Sequence, residues 1–261
     1  MLGPLGDLLI KLSLGVYIYS LISLIAGIKL NDIRLLMSSR FSTYSGFVLM
    51  ILSTICLIFA FVTHDYSIQY VADHSSNAMP MIYTWIAFYS GNEGSLLFIC
   101  ASLAVLLFLF VRNQSIDDMT SNYSTVFVLL FMIFLLGTTS LLANPFNLSE
   151  YTPEDGQGIN PLLLHFGMFI HPPVQMIGLT GVIVPFAISL GIVISGDMDS
   201  KLNLLRKWSI SIWMILTAGL ALGSWWAYTI LGWGGYWAWD PVENSSLMPW
   251  LIMTALIHFL I

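Results

Sequence analysis

Charge is what this 261-residue chain has least of: 8% of its residues are charged, and 8 Lys and Arg face 14 Asp and Glu for a net charge of −6. A soluble domain carries about a quarter charged residues, so this scarcity excludes an ordinary soluble globule. The missing basic face excludes nucleic acid as a partner, because phosphate backbones demand one. Cysteine is nearly absent too. Cys56 and Cys100 stand in separate apolar runs and form neither CxxC nor CxxCH, which excludes a thiol oxidoreductase and a c-type cytochrome. Both read as small buried hydrophobes. No cleaved export signal is expected, since the first apolar run is too long and offers no small-residue cleavage site. Internal repeats and low-complexity segments are lacking as well.

What the chain has in quantity is apolar surface, with 57% hydrophobic residues and a mean hydropathy of +0.86. A helix needs roughly 20 apolar residues to cross the hydrocarbon core. Runs near that length occupy 12–28, 43–63, 95–111, 124–143, 174–195 and 209–226. A seventh begins near Leu247 and is still apolar at Ile261, short of a span unless the turns before it are embedded. The expected fold is an all-α polytopic membrane protein of about seven transmembrane helices, one domain over residues 1–261. Basic residues accumulate on the cytoplasmic side. Lys29, Arg34 and Arg40 follow the first run, Arg112 the third, and Lys201, Arg206 and Lys207 the fifth. Stretches 64–80, 144–173 and 227–246 hold no Lys or Arg. That pattern puts the N-terminus and those three stretches outside, with Lys11 as the exception.

The outer stretch 227–246 is the densest in chemistry. In "WDPVEN", Asp240, Pro241 and Glu243 have the form of a capping box, so a helix should begin near Pro241. His258 would then lie about 26 Å along that helix. The box leaves Trp233, Tyr236, Trp237 and Trp239 unexplained, with Trp225 and Trp226 just upstream. Single rings of this kind form interfacial belts, but a belt spreads over all spans. Here six of the 9 tryptophans fall between 225 and 250. Gly232, Gly234 and Gly235 let the backbone lie flat beneath them. Such a surface suits a large planar ligand.

"NPLLLHFGMFIHPP", residues 160–173, reads as a short segment along the outer surface, with a helix starting at Pro172–Pro173. His171 stands at the membrane mouth, either as a structural imidazole or as an axial ligand for haem iron. His165 is the less favoured neighbour. His64, Asp65, Asp73 and His74 match no compact metal site and read as a loop packed on its neighbours. Glu93, in "YSGNEGSLL", and His258 are ionisable groups at or inside spans, and such groups are functional candidates. Glu93 fits a helix end, a proton carrier or a cofactor contact.

Taken together, "WGGYWAWDPVEN" resembles the tryptophan-rich WWD signature of haem-handling membrane proteins in cytochrome c maturation. "PVENSSLMPWL" is similar to the CcmF/NrfE haem lyase branch and differs from the CcmC and CcsA branches. "FVTHDYSIQYVADHSS", "NEGSLL", "NPF", "DGQGINPLL", "IHPP" and "ALIH" match that branch in order. The chain departs from the pattern at Tyr89, Asn92, His165 and Phe166.

The resemblance implies the N-terminal part of a lyase that takes haem from the chaperone CcmE. The haem is joined through thioether bonds to the CxxCH motif of apocytochrome c, with a CcmH-type apocytochrome-handling protein as a further partner. Trp233, Tyr236, Trp237, Trp239 and Asp240 would hold the arriving haem, with His171 as its axial ligand. His258 would ligate a resident haem b. The second ligand of each haem would lie in a C-terminal half, supplied by the rest of a longer protein or by a second chain of a split gene. The implied location is an energy-transducing inner membrane, mitochondrial or bacterial, with the WWD loop on the intermembrane-space or periplasmic side. Competing readings are a non-catalytic haem-binding module, a structural subunit of a respiratory or maturation assembly, and an ion-translocating subunit using Glu93. The last would call for further intramembrane Lys or Glu residues.

Overall fold

The computed structural model describes residues 1–232 and 234–260, leaving aside the side chain of Asp199. Trp233, one of the expected cradle rings, therefore lies outside the described residues. The described residues divide into two compact units, 1–116 with 129–164, and 117–128 with 165–261.

In the first unit, α1 (Leu2–Leu30) and α2 (Ile33–Val62) form an antiparallel pair. Gly6, Ile10, Ser13, Tyr17, Ser20 and Leu24 are buried at alternating intervals of four and three. Ser39, Thr43, Gly46, Met50, Ser53 and Leu57 repeat that rhythm on α2. This 3.5-residue period keeps one seam facing the partner along the whole length. The seam is rich in small and hydroxyl residues, as expected where lipid already satisfies apolar side chains and close approach must supply the attraction. Ser20 bonds Ser39 and Thr43 across it, and a Cβ on Gly46 would come within 2.7 Å of the Tyr17 ring. Asn31, at φ 52°, and the N-cap Asp32, which accepts from the Arg34 amide at 2.8 Å, make the short turn. Lys11, the exception among the basic residues, lies inside α1 and pairs with Asp7 one turn away at 2.7 Å.

Two short helices, α3 (Gln69–His74) and α4 (Met81–Ala87), precede α5 (Asn92–Arg112). Ile68 bridges Leu148, and Gln157 donates its amide to the Ala72 carbonyl at 2.8 Å, so stretches 64–80 and 144–160 are clasped together. Asp155 accepts the amides of Asn77 at 2.8 Å and Gly156 at 2.7 Å. The Asn77 amide is the main cause holding its carboxyl below the usual range. Burial pushes the Tyr66 hydroxyl up, reinforced by Asp155 at 3.2 Å.

α6 (Met119–Leu141) runs through both units. The first unit ends with a 3-10 turn (Pro161–Leu163), and the second contains α7 (Gly167–Gly181), α8 (Ile183–Ser195), α9 (Met198–Ile230) and α10 (Pro241–Leu260). α7 begins five residues before the expected Pro172–Pro173 start. The cause is local: His165 Nδ1 accepts the Gly167 amide at 3.0 Å and opens the helix there. Pro172 and Pro173 lie inside α7, where neither can donate to the carbonyl four residues back, so two rungs of the helix ladder are missing there. Asp118 anchors the start of α6 by accepting from Ser121 and pairs with Lys201 of α9. Burial raises the Asp118 carboxyl, and the hydrogen bonds from Lys201 and Ser121 outweigh it, leaving it below the usual range.

Among the described residues, six helical runs are long and apolar enough to cross a membrane: α1, α2, α5, α6, α7 with α8, and α9 from Ser200. The protein is thus an all-helical polytopic membrane protein. α10 is a 20-residue helix outside those six. The sequence runs understate helix length at the starts, because polar and glycine-bearing turns such as 2–11 belong to the same helices.

Candidate functional site

The site grows out of the packing of α7 against α9. A Cβ on Gly178 would lie 2.7 Å from the Leu216 Cα, and one on Gly219 would collide with Gln175, whose Cα is 2.8 Å away. Glycine at these crossings brings the two backbones together. Gly223 continues the series one turn on, with the His171 Cε1 2.6 Å from where its Cβ would be. His171 can therefore lie flat against α9. Its Nδ1 is 3.1 Å from the Gly219 carbonyl, which must accept a proton from it. That bond sets the tautomer, leaving the lone pair on Nε2 for a metal. The Trp226 ring stacks on the imidazole at 6.3 Å and 19°.

α10 is fixed to α9 by a reciprocal pair of indoles. Trp213 donates to Thr254 at 2.8 Å and Trp250 donates to Thr217 at 2.7 Å, with the rings stacked at 5.9 Å. Between the two helices runs the aromatic loop. Gly232 and Gly234 take φ values of 70° and 76°, conformations that cost glycine little. Tyr236 folds back onto Tyr228 of α9 at 4.4 Å, nearly parallel. Trp237 and Trp239 meet edge to face at 5.9 Å.

The expected capping box is present. Asp240 Oδ1 accepts the Glu243 amide at 2.7 Å, and α10 starts at Pro241. Glu243 Oε2 reaches back to the amides of Ala238 and Trp239, both at 2.7 Å, further upstream than the usual box. Asn244 adds a bond to the Trp239 carbonyl at 2.9 Å. These contacts hold Trp239 at φ 59°, unusual for an aromatic residue.

His171, Gln175, Trp226, Trp237, Asp240 and Glu243 line one cavity of about 110 Å³. Clefts that enclose a whole small ligand measure about 300–1,000 Å³. This one therefore admits an edge or a side arm of a large flat molecule rather than all of it. Tyr236 and Trp239, 57% and 69% exposed, present their rings outside. No three His, Cys, Asp or Glu side chains converge as a metal site among the described residues. The imidazole of His171 suits a metal that brings its own equatorial ligands, as haem iron does.

Of the residues singled out in the sequence, His171, Trp237 and Asp240 come together here, with Tyr236 and Trp239 beside them. His258 lies in the last turn of α10, exposed and about 22 Å beyond Glu243 along the axis. Glu93 belongs to the first unit, in the first turn of α5, where a carboxylate faces the positive end of the helix. Beside it the Tyr70 hydroxyl accepts the Gly91 amide and donates to the Phe88 carbonyl, both at 3.0 Å. His165 accepts the Gly167 amide just before α7, whose N-cap is Phe166. Trp250, one of the clustered tryptophans, is structural. The sequence pointed to Trp226 only as one of the clustered rings and gave no role to Gln175, Gly219 or Gly223. A polar Gln one turn after His171 in an apolar run was the available signal.

Residues 89–261 match the family described as cytochrome C assembly protein. The chain is 36% identical over 268 residues to the cytochrome c-type biogenesis protein CcmF of Haemophilus influenzae, covering 100% of this chain and 41% of that protein. It is 35% identical over 267 residues to CcmF of Escherichia coli, again covering 100% and 41%. NrfE of Haemophilus influenzae is 38% identical over 206 residues, covering 78% and 32%. A solved structure, the cytochrome c heme lyase CcmF, superposes with a TM-score of 0.88 at 30% identity, over 100% of this chain and 42% of that one. The chain thus spans about two-fifths of the length of the CcmF proteins it matches. By sequence and by fold, it belongs to the cytochrome c assembly family and corresponds to the N-terminal part of a CcmF/NrfE-type protein.

Proposed function

We propose that this chain forms the haem-receiving part of a cytochrome c haem lyase. One observation carries the reading: a tautomer-fixed imidazole, His171, opens onto a cavity walled by Trp237 and Asp240, beside exposed aromatic rings. His171 serves as axial ligand to the haem substrate. Tyr236, Trp237 and Trp239, with Trp233, support its plane, and Asp240 holds the loop to α10.

Attachment needs no redox partner at the bond-forming step. Each CxxCH thiol adds across a haem vinyl group, the sulfur bonding one carbon while a proton goes to the other. No side chain at the site is placed as a dedicated acid or base, so the contribution of the chain is positioning. His258, exposed on α10, would hold the iron of a resident haem b, which would supply control of redox state. The second ligands come from a C-terminal half, in the same or another chain. CcmE delivers haem, a CcmH-type protein presents apocytochrome c, and the lipid of an energy-transducing inner membrane surrounds the assembly. α10 completes a seventh crossing, and loop 227–246 lies on the outer side.

The test is a spectrum of the purified assembly, reduced minus oxidised, with His171→Ala and His258→Ala variants. His171→Ala should lose binding of added haem while the b-type signal persists, and His258→Ala should lose the b-type signal. Haem absent from every preparation would replace this reading with that of a structural subunit.

A further inference from the structure

His165 and His171 lie either side of the first turn of α7 and use the same ring nitrogen in opposite ways. His171 Nδ1 faces the Gly219 carbonyl at 3.1 Å and must donate to it. His165 Nδ1 faces the Gly167 amide at 3.0 Å and must accept from it. Neutral His165 therefore carries its proton on Nε2, and a second proton can enter only by breaking that bond. The imidazolium then sets an N–H against an N–H, and a cation against the positive end of the helix. The next two amides, Met168 and Phe169, bond the carbonyls of His165 and Phe166, each at 3.0 Å. Phe166, the N-cap residue, makes no side-chain cap bond, so the imidazole is the side-chain acceptor at this helix start.

Pro172 and Pro173 supply no N–H to the carbonyls of Met168 and Phe169, so the turn that ends at His171 is joined to the rest of α7 by fewer rungs. Gly167 itself lies hard against α9. A Cβ there would come within 2.5 Å of Trp226 Cδ1, and Trp226 stacks on His171. A displacement of Gly167 thus reaches His171 by two routes, along the turn and through the indole. On the other side of His165 the Trp225 ring of α9 lies 5.7 Å away, and a cation within about 6 Å of an indole face is attracted to it. No carboxylate, Lys or Arg bonds or pairs with His165 among the described residues. The titratable groups on the neighbouring elements are engaged elsewhere. His171 bonds Gly219, Tyr228 of α9 stacks on Tyr236, and Asp240 and Glu243 accept backbone amides at the start of α10. His165 is half-buried and stands just ahead of the apolar span, so protons reach it from water.

We propose that His165 is an acid-sensitive positioning residue. Neutral, it closes the first turn of α7 and holds His171 flat against α9. Protonated, it leaves the Gly167 amide for the Trp225 ring, the turn loosens, and His171 is presented less firmly. Histidine is the side chain whose charge changes between about pH 5 and pH 8, so the device works in that range. The position is one at which the sequence departs from the CcmF/NrfE pattern, which makes the device particular to this chain. Its effect on iron rests on the haem reading above; the loosening of the turn does not.

The experiment compares the unaltered assembly with two variants between about pH 8 and pH 5. His165→Asn keeps an oxygen that can accept the same amide and has no titrating proton, whereas His165→Leu has no acceptor. Deuterium uptake by residues 164–171, without added haem, reports the turn itself. Near the alkaline limit the unaltered assembly and His165→Asn should exchange alike, and His165→Leu about fivefold faster, the weight of one lost helix-opening bond. Near the acid limit the unaltered assembly should exchange like His165→Leu, with His165→Asn still slow beside it. Soret titration with haemin then reports His171. Acid weakens haemin binding in every variant, because it also protonates the free imidazole of His171. The loss should nevertheless be about fivefold greater in the unaltered assembly than in His165→Asn. Uptake that stays parallel in the unaltered assembly and His165→Asn at every pH overturns the proposal. Acid-dependent uptake with equal haemin losses in those two proteins overturns the positioning role. Haemin unbound at any pH, with the uptake pattern as expected, overturns the haem reading and leaves the acid-sensitive turn in place.

Discussion

Trp239 shows how much of the site is held by single residues. Its left-handed backbone costs about 1–2 kcal/mol for a residue with a Cβ, and that cost is offset by Glu243 and Asn244, which bond both sides of its peptide unit. Charge-assisted bonds of this kind contribute about 1.5–3 kcal/mol each at best, less here because the loop is exposed. Glu243→Ala should therefore lower the thermal midpoint of the assembly and speed proteolysis between 231 and 240, whereas Glu243→Gln should do so only in part. An unchanged cleavage rate in Glu243→Ala would show that the loop is held by other means. The start of α10 was legible in the sequence because a capping box is a local device: four neighbouring residues carry the whole geometry. Gln175 was not legible as a site residue, because its meaning depends on Ser246 and Gly219, which lie far from it in the chain.

At the scale of elements, the crossing of α7 and α9 decides where His171 sits. Gly219 and Gly223 read as unremarkable small residues until the facing helix is known. Two glycines one turn apart then explain why an imidazole can reach a backbone carbonyl. The runs of apolar residues overlap all six candidate spans but begin late, at 12 and 43 where the helices begin at Leu2 and Ile33, because polar first turns precede the apolar stretch. Most of their C-terminal ends fall close to the helix ends. The sequence also put the start of α7 at its prolines rather than at Gly167. The join between α6 and α9 makes a pH prediction. Asp118 is held below the usual carboxylate range, so its stabilisation is present above the unfolded value near 3.9 and is lost as pH falls through the folded one. The pair is partly exposed, so the contribution is less than about 1 kcal/mol. The melting temperature of the unaltered protein should fall more steeply between about pH 5 and pH 3 than that of Asp118→Asn. Parallel curves would remove this pair from the acid response.

Over the whole molecule, the distribution of Lys and Arg makes a topological prediction that six apolar helices alone do not. With Cys56 and Cys100 replaced by Ser, a cysteine at Ser149 should react with an impermeant maleimide from the outer side. One at Ser115 should react only after the membrane is opened. The reverse order, or equal labelling at both, would overturn the assigned orientation. The indole pair that joins α9 and α10 has a mechanical meaning at this scale. Trp250 lies about 10 Å along α10 from Glu243 and about 12 Å from His258, and Trp213 grips the helix there. Glu243 binds the aromatic loop rigidly to one end of that helix. α10 is thus tied to α9 near its middle and to the aromatic loop at its start, and Pro249 interrupts its own hydrogen-bond ladder beside the indole pair, so the half that carries Glu243 and the half that carries His258 are separately anchored segments.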